Sequence, residues 1–317
     1  MNPALQGYLA AMEETLAADG GLADAGVQLH AVADLVEGST ALLLAVNDGS
    51  VPVASRRAVL DALLSGKVRP EVVRLVHQAV TVVPAGEVVS SFRWMGSRLE
   101  HAATRPAPTA AEPFDEDVLG RLGSRNRVSG YAAAVFEGLT TTDLEEIEDQ
   151  LFRFARTVEA NRPLRHALGD RDLPVVVRQD VIGRLLDGKA LPATVRLATY
   201  AARGGRARDI VATLDTLVED AAKARGWRVA KVQAASAVDA TQQQHLSEAL
   251  AVLTGNPVDL QVTVEPALLG GVVVQVGDLL VDSSTRHRLD ELKEHVLASE
   301  DAYRIPGTPT RRDATDG

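Results

Sequence analysis

Apolar residues recur at spacings of three and four along most of the first 225 positions. In one stretch Leu144, Ile147, Leu151, Phe154 and Val158 share a single helical face. Patterns of this kind predict helices near 4–18, 25–37, 40–46, 52–65, 70–82 and 86–103, with equivalents 122 or 123 positions later. Thr142 and Glu145 have the spacing of a capping box at the start of the Leu144 helix. Asn161 before Pro163, and Asp172 before Pro174, read as further helix starts.

From Trp227 the period shortens to two. In DLQVTVEP, 259–266, Leu260, Val262 and Val264 point one way and Gln261 and Thr263 the other, a strand with one covered face. RVAKVQAAS, 228–236, and VVVQVGDLLVD, 272–282, are predicted as two more strands, the second reached through a tight PALLGG turn. TQQQHLSEALAVLTG is a helix with Leu246, Leu250 and Leu253 inward, closed by Gly255, and a last helix is predicted over 284–299. The polar tail RIPGTPTRRDATDG has the composition of a disordered end.

The chain repeats itself. LLSGKVRPEVVRL at 63–75 returns as LLDGKALPATVRL at 185–197, and the match extends without a gap from residue 29 to 80. Upstream, GYLAAMEETL at 7–16 meets GYAAAVFEGL at 130–139, so about 5–104 repeats as 128–226. A period of that length is a duplicated domain and not a solenoid. Within the repeated phrase, Gly66 and Gly188 end a helix, Pro70 and Pro192 open the next, and Lys67 and Lys189 sit by the freed carbonyls. The expected class is mainly α: two tandem six-helix bundles, 1–104 and 121–226, then a small α+β domain, 227–303, in the order strand, helix, strand, strand, helix. A Pro/Ala-rich linker at 105–120 separates the bundles, and 304–317 is the tail.

Composition narrows the function. The formal net charge of −10 argues against a phosphate-binding surface for nucleic acid. The chain has no cysteine, which removes disulfides, thiolate metal sites and thiol nucleophiles. Aromatics make up 3% of the residues, so the cores must be built from Ala, Leu and Val. No stretch reaches the roughly 18 apolar residues of a membrane span, and MNPALQGYLAAMEET lacks the pattern of a secretion signal.

Candidate chemistry is sparse. His287, Glu291 and His295 could share one helix face, but a metal site needs a second source of ligands, and a solvated face is the simpler reading. The acids of EEIED, 145–149, fit the positive end of a helix better than acid–base catalysis. Serines 39, 50, 55, 65, 90, 91 and 97 lack a nucleophile-elbow context, and the glycines at 204–205 end a helix and do not follow a strand. Arg56 and Arg178 recur, which suits pairing with a helix carboxylate more than an anion site. A soluble ligand-sensing regulator with helical interaction domains is the alternative to a structural role.

The stretch VEPALLGGVVVQVGDLLVDSSTRHRLDEL, 264–292, resembles the C-terminal signature of the delta subunit of F-type ATP synthase, a relative of the mitochondrial oligomycin-sensitivity-conferring protein. Pro266, Leu268, Leu269, Gly270, Gly271, Gly277, Asp278, Asp282, Ser284, Arg286 and Leu289 match it. Glu265 stands where the family usually has aspartate, and Ser283 where it has glycine. GYAAAVFEGL at 130–139 is similar to the family's first helix, and an extra helical copy ahead of it resembles the delta subunits of high-GC Gram-positive bacteria. The resemblance implies a non-catalytic stator subunit without cofactor, peripheral on the cytoplasmic face of the plasma membrane. It implies as partners the N-terminal helices of the alpha subunits and the b subunit of the peripheral stalk, with no nucleic acid and no direct membrane insertion.

By position, the alpha-subunit groove would use Tyr131, Ala134 and Val135 of the first helix, with Ile210, Leu214 and Leu217 of the helix near 206–224, taken as the family's fifth. Plain bundle core is the competing reading of these six. The first copy, with Tyr8, Ala10, Ala11 and Met12, either braces against the stalk or a second head subunit, or is a spacer. Trp94 and Met95 are either contacts or core.

Overall fold

The computed structural model describes residues 1–104, 120–226, 228–254, 258–265, 268, 271–276 and 279–282. The chain is mainly helical with a small sheet near its C-terminus. It divides into two units, Met1–Arg225 and Gly226–Gly317.

The first unit holds both copies of the repeat. The first copy contributes α1 (Pro3–Ala18), α2 (Leu22–Glu37), α3 (Thr40–Asn47), α4 (Val53–Leu64), α5 (Pro70–Val82) and α6 (Val88–Thr104). The second contributes α7 (Arg121–Phe136), α8 (Thr141–Ala160), α9 (Arg162–Gly169), α10 (Val175–Leu186), α11 (Pro192–Gly204) and α12 (Ile210–Ala224). Equivalent pairs form the core of each copy: α2 lies on α6, and α8 on α12. Leu29, Leu75, Phe92 and Leu99 in one copy, and Leu151, Leu197, Leu214 and Leu217 in the other, are fully buried. Each such side chain contributes about 1.5–3 kcal/mol of apolar transfer.

The repeated phrase does the same job twice. Gly66 and Gly188 leave their helices with φ of +73° and +64°, a conformation that side chains resist. Pro70 and Pro192 occupy the first turn of α5 and α11. The amide just before each proline is caught by a glutamine on the second helix of its copy. Arg69 N–H donates to Gln28 Oε1 at 2.7 Å, and Leu191 N–H to Gln150 Oε1 at 2.9 Å. Lys189 Nζ donates to the Leu185 carbonyl at 3.2 Å, at the exposed end of α10.

Several expectations shift. The capping box on α8 is made by Thr140 and Asp143, and not by Thr142 and Glu145. Asp143 accepts from both the hydroxyl and the amide of Thr140, which holds its carboxyl below the usual range. Asn161 caps α9 as expected, but Pro174, not Asp172, stands at the N-cap of α10. Arg56 is buried and donates to the Val46 carbonyl at 3.4 Å, while its charge, after the hydrogen bonds from Ser50, helps to hold the Asp48 carboxyl at the end of α3 below the usual range. Within EEIED, Glu148 is no solvated helix-start acid: it is buried and paired with Arg225. The helix at 206–224 is α12, the sixth of its copy, because the short α9 counts and α11 is the fifth.

The second unit has β1 (Arg228–Ala234), α13 (Ala240–Thr254), β2 (Val258–Val264), β3 (Val272–Val276) and β4 (Leu279–Asp282). The strand order is β2-β1-β3-β4, with β1 parallel to β2 and antiparallel to β3. The helical crossover through α13 is what a parallel neighbour requires. Consequently β2 and β3, consecutive in sequence, do not pair; β1 lies between them. The run 272–282 is two strands and not one: Val276 pairs with Leu279, so β3 and β4 are an antiparallel pair separated in sequence only by Gly277 and Asp278. Ala230, Val232, Leu250, Val258, Val274 and Val276 form the buried core, and Leu246, Leu260 and Val262 pack against it. Gln261, expected on the open face, is buried, and Val264 is exposed. Alternation separates two faces of a strand but does not say how far each is covered. The linker 105–119, Gly255, the helix expected at 284–299 with His287, Glu291 and His295, and the tail lie outside the described residues.

Candidate helix-docking site and the seam between the copies

The most extensive helix pairing among the described residues joins the two copies: α1 lies on α7. The crossing is made by glycines. A Cβ on Gly7 would fall on the carbonyl of Arg127, and a Cβ on Gly130 on the carbonyl of Ala4. These four positions correspond in the repeat, so the contact has twofold pseudosymmetry.

Polar groups flank the crossing in the same symmetric way. Tyr8 donates its hydroxyl to Glu137 at 2.6 Å, and Tyr131 donates to Glu14 at 2.7 Å. Arg74 of α5 approaches Glu137 at 3.9 Å, and Arg196 of α11 approaches Glu14 at 3.1 Å. Tyr8 pairs with Tyr131 in the repeat, Glu14 with Glu137, and Arg74 with Arg196. The arginine of the repeated VRL therefore reaches across the seam in both copies. Burial pushes the hydroxyls of Tyr8 and Tyr131 well above the usual phenol range, and their glutamate partners push in the same direction.

One side of the seam is elaborated. Tyr131 stacks on Tyr200 of α11, with centroids 3.7 Å apart and planes 7° from parallel. The buried guanidinium of Arg127 donates twice to the Gly204 carbonyl, at 2.8 and 2.5 Å, and so closes the C-terminal end of α11.

The six groove candidates, Tyr131, Ala134, Val135, Ile210, Leu214 and Leu217, are all buried in the chain by itself. Tyr131 is committed to Glu14 of α1 and to Tyr200 of α11. Their counterparts in the first copy, Tyr8, Ala11, Met12, Val88, Phe92 and Met95, are buried as well. Met95 is core, whereas Trp94 is half-buried in an open cleft of about 220 Å³ between α1 and α6, lined also by Leu9, Ala10, Glu13 and Arg98. A second cleft, about 310 Å³, lies along α8 and α10 at Phe154, Leu185, Leu186 and Lys189. No cluster of His, Asp or Glu that could hold a metal ion occurs among the described residues.

Comparison with known proteins decides the family. The family model for the ATP synthase delta (OSCP) subunit matches residues 128–296. The ATP synthase subunit delta of Kineococcus radiotolerans is 34% identical over 288 residues, covering 90% of this chain and 92% of that protein. Those of Salinispora arenicola and Nocardia farcinica are 34% and 32% identical over 84% and 86% of this chain, and over 85% and 90% of their own lengths. The chain belongs to the ATP synthase delta (OSCP) subunit family. A chain of a solved Toxoplasma gondii mitochondrial ATP synthase hexamer is 19% identical over 54% of this chain, at a TM-score of 0.38, too low to argue from.

The delta family model begins at 128, but the extra helical copy is not peculiar to this chain. An alignment covering 90% of it must include most of residues 1–104. Of the delta signature residues, Leu268, Gly271 and Asp282 lie in the described part; Pro266, Leu269, Gly270, Gly277, Asp278, Ser284, Arg286 and Leu289 lie outside it. Gly271 has φ of +81°, and its carbonyl accepts from the Ala235 amide at 3.4 Å beside the end of β1. Asp282 pairs with Val273 across β3 and β4. No single helix among the described residues is long and apolar enough to cross a membrane.

The seam residues Glu14, Glu137, Arg74 and Arg196, and the buried Arg225, were not among the candidates read from sequence, and Glu148 entered only as one acid of EEIED. For the seam the signal was present: charged residues kept at the repeat offset in both copies. For Glu148 and Arg225 no repeat partner exists to mark them.

Proposed function

We propose that this chain is a non-catalytic stator subunit of proton-translocating F-type ATP synthase. It would link the catalytic head to the b-subunit stalk, so that rotary torque drives ATP synthesis. Membership of the delta (OSCP) family carries this reading. The seam supports it physically, because a brace needs stiffness, and two copies locked through a backbone-close crossing move as one piece. In this reading each six-helix copy is a bundle of the family type, 1–104 and 121–226, and 227–303 is the module that grips b. The protein would sit peripherally on the cytoplasmic face of the plasma membrane, with alpha-subunit N-terminal helices as its partners on the head.

The alpha-subunit groove is proposed along Tyr131, Ala134, Val135, Ile210, Leu214 and Leu217. Since all six are buried in the chain alone, docking there requires α7 and α12 to part or α1 to yield its place. The test is calorimetric titration of the full chain with the N-terminal peptide of the organism's own alpha subunit, followed by hydrogen exchange on the complex. Saturable binding that protects α7 and α12 supports the groove. Binding that protects other helices moves the site, and no binding removes the head contact from the proposal.

A further inference from the structure

The helical unit ends at Arg225, and β1 of the next unit begins at Arg228. Load carried along the chain from the second unit therefore reaches the first at the end of α12. A helix C-terminus is a weak place to pull, because its last carbonyls lack partners and its last turn opens first. Gly226, the next residue, has φ of +79°, so the helical hydrogen-bond pattern stops there.

At this position the chain carries a buried ion pair. Arg225 Nη2 donates to Glu148 Oε2 of α8, and the two side chains are 4% and 5% exposed. Glu145, one turn earlier on α8, lies 3.9 Å from the same guanidinium. Burying two charges is a poor way to gain stability, but breaking such a pair is costly, so the pair holds one geometry. The first copy has no such clamp. Its equivalent positions are Ala103 and Gly26, and α6 leads into the segment 105–119 and not directly into a second unit.

We propose that the Glu148–Arg225 pair is an anchor, through which load on the C-terminal unit enters α8 and α12 together instead of peeling α12 from its end. That such load exists rests on the stator reading; the anchor itself is a property of this chain and is tested without partners.

The chain has no cysteine, so handles can be placed at will. The full chain carrying Thr40→Cys and Ser236→Cys is pulled across the boundary in optical tweezers. The chain carrying Thr40→Cys and Thr104→Cys is pulled within the first copy of the helical unit. Glu148→Gln, and the neutral pair Glu148→Gln with Arg225→Gln, should lower the opening force across the boundary and leave the internal force unchanged. Hydrogen exchange at the amides of 222–226 should quicken about tenfold or more, the effect of losing one charged hydrogen bond, while α2 and α6 keep their protection. An equal fall of force in both geometries would mean a merely structural pair and overturn the proposal, as would an unchanged boundary force. Loss of alpha-peptide binding with intact anchoring, or the converse, separates this inference from the stator reading.

Discussion

Gly7 of α1 lies against the Arg127 carbonyl of α7, and Gly130 of α7 lies against the Ala4 carbonyl of α1, so closely that neither glycine has room for a methyl group. Each backbone lies against the other's turn, and the repeat places the two glycines at equivalent positions. Gly7→Ala or Gly130→Ala must push the helices apart and open every contact along the seam. Overpacking of this kind costs about 1–3 kcal/mol or more, against which the gain in helix propensity of up to about 1 kcal/mol is small. Urea unfolding of the full chain should show both variants destabilised. A stability within error of wild type, or higher, would mean that the seam is not formed in solution.

The flanking tyrosine–glutamate bonds should be energetically real on both sides. A double-mutant cycle with Tyr131→Phe and Glu14→Gln is expected to give a coupling of about 0.5–3 kcal/mol, the range for residues in one polar network. The symmetric cycle with Tyr8→Phe and Glu137→Gln should give a similar value. Coupling between the two cycles should be smaller than either. Additive single variants would show that the hydroxyls find water instead of carboxylate.

Much of this architecture was legible because helix ends carry local chemistry. Gly66, Pro70 and their repeats mark boundaries by conformation alone, and the apolar spacing around Leu144 and Leu151 assigns a buried face. The seam was less legible. A glycine inside a helix pattern reads as a weak helix former, and only the partner backbone explains Gly7 and Gly130. Strand order was hidden for a related reason: β2 and β3 follow one another in sequence, yet nothing local says that β1 stands between them. The six groove candidates lie on α7 and α12, but periodicity cannot distinguish a face buried by the chain itself from one kept open for a partner helix.

The capping residue of α8 is decided by one side chain. Thr140 accepts from the Asp143 amide and donates its hydroxyl to the Asp143 carboxylate. Thr140→Ala should cost about 1 kcal/mol, typical of an N-cap threonine. Thr142→Ala, two residues into the helix and exposed, should be neutral or slightly stabilising. Chemical denaturation of the two variants side by side discriminates them, and the reverse ranking would place the cap at Thr142.

The buried phenols predict an alkaline limit to stability. Tyr8, Tyr131 and Tyr200 are held above the ordinary phenol value of 10.0, in each case first by burial. A raised folded pKa means that the folded state keeps its proton when the unfolded chain begins to lose it. The contribution is therefore complete below pH 10, the unfolded value, and is lost as pH climbs from there toward the folded pKa. Each tyrosine removes about 1.4 kcal/mol per pH unit in that window, so the three act together. Thermal unfolding followed between neutrality and strong alkali should show a plateau and then a steep fall. Tyr8→Phe, which leaves the ring but takes away the proton, should make that fall shallower by one tyrosine's share, even though it loses the bond to Glu137. If the slope is unchanged, Tyr8 ionises as freely in the folded chain as in the unfolded one, and the α1–α7 seam does not shield it from water.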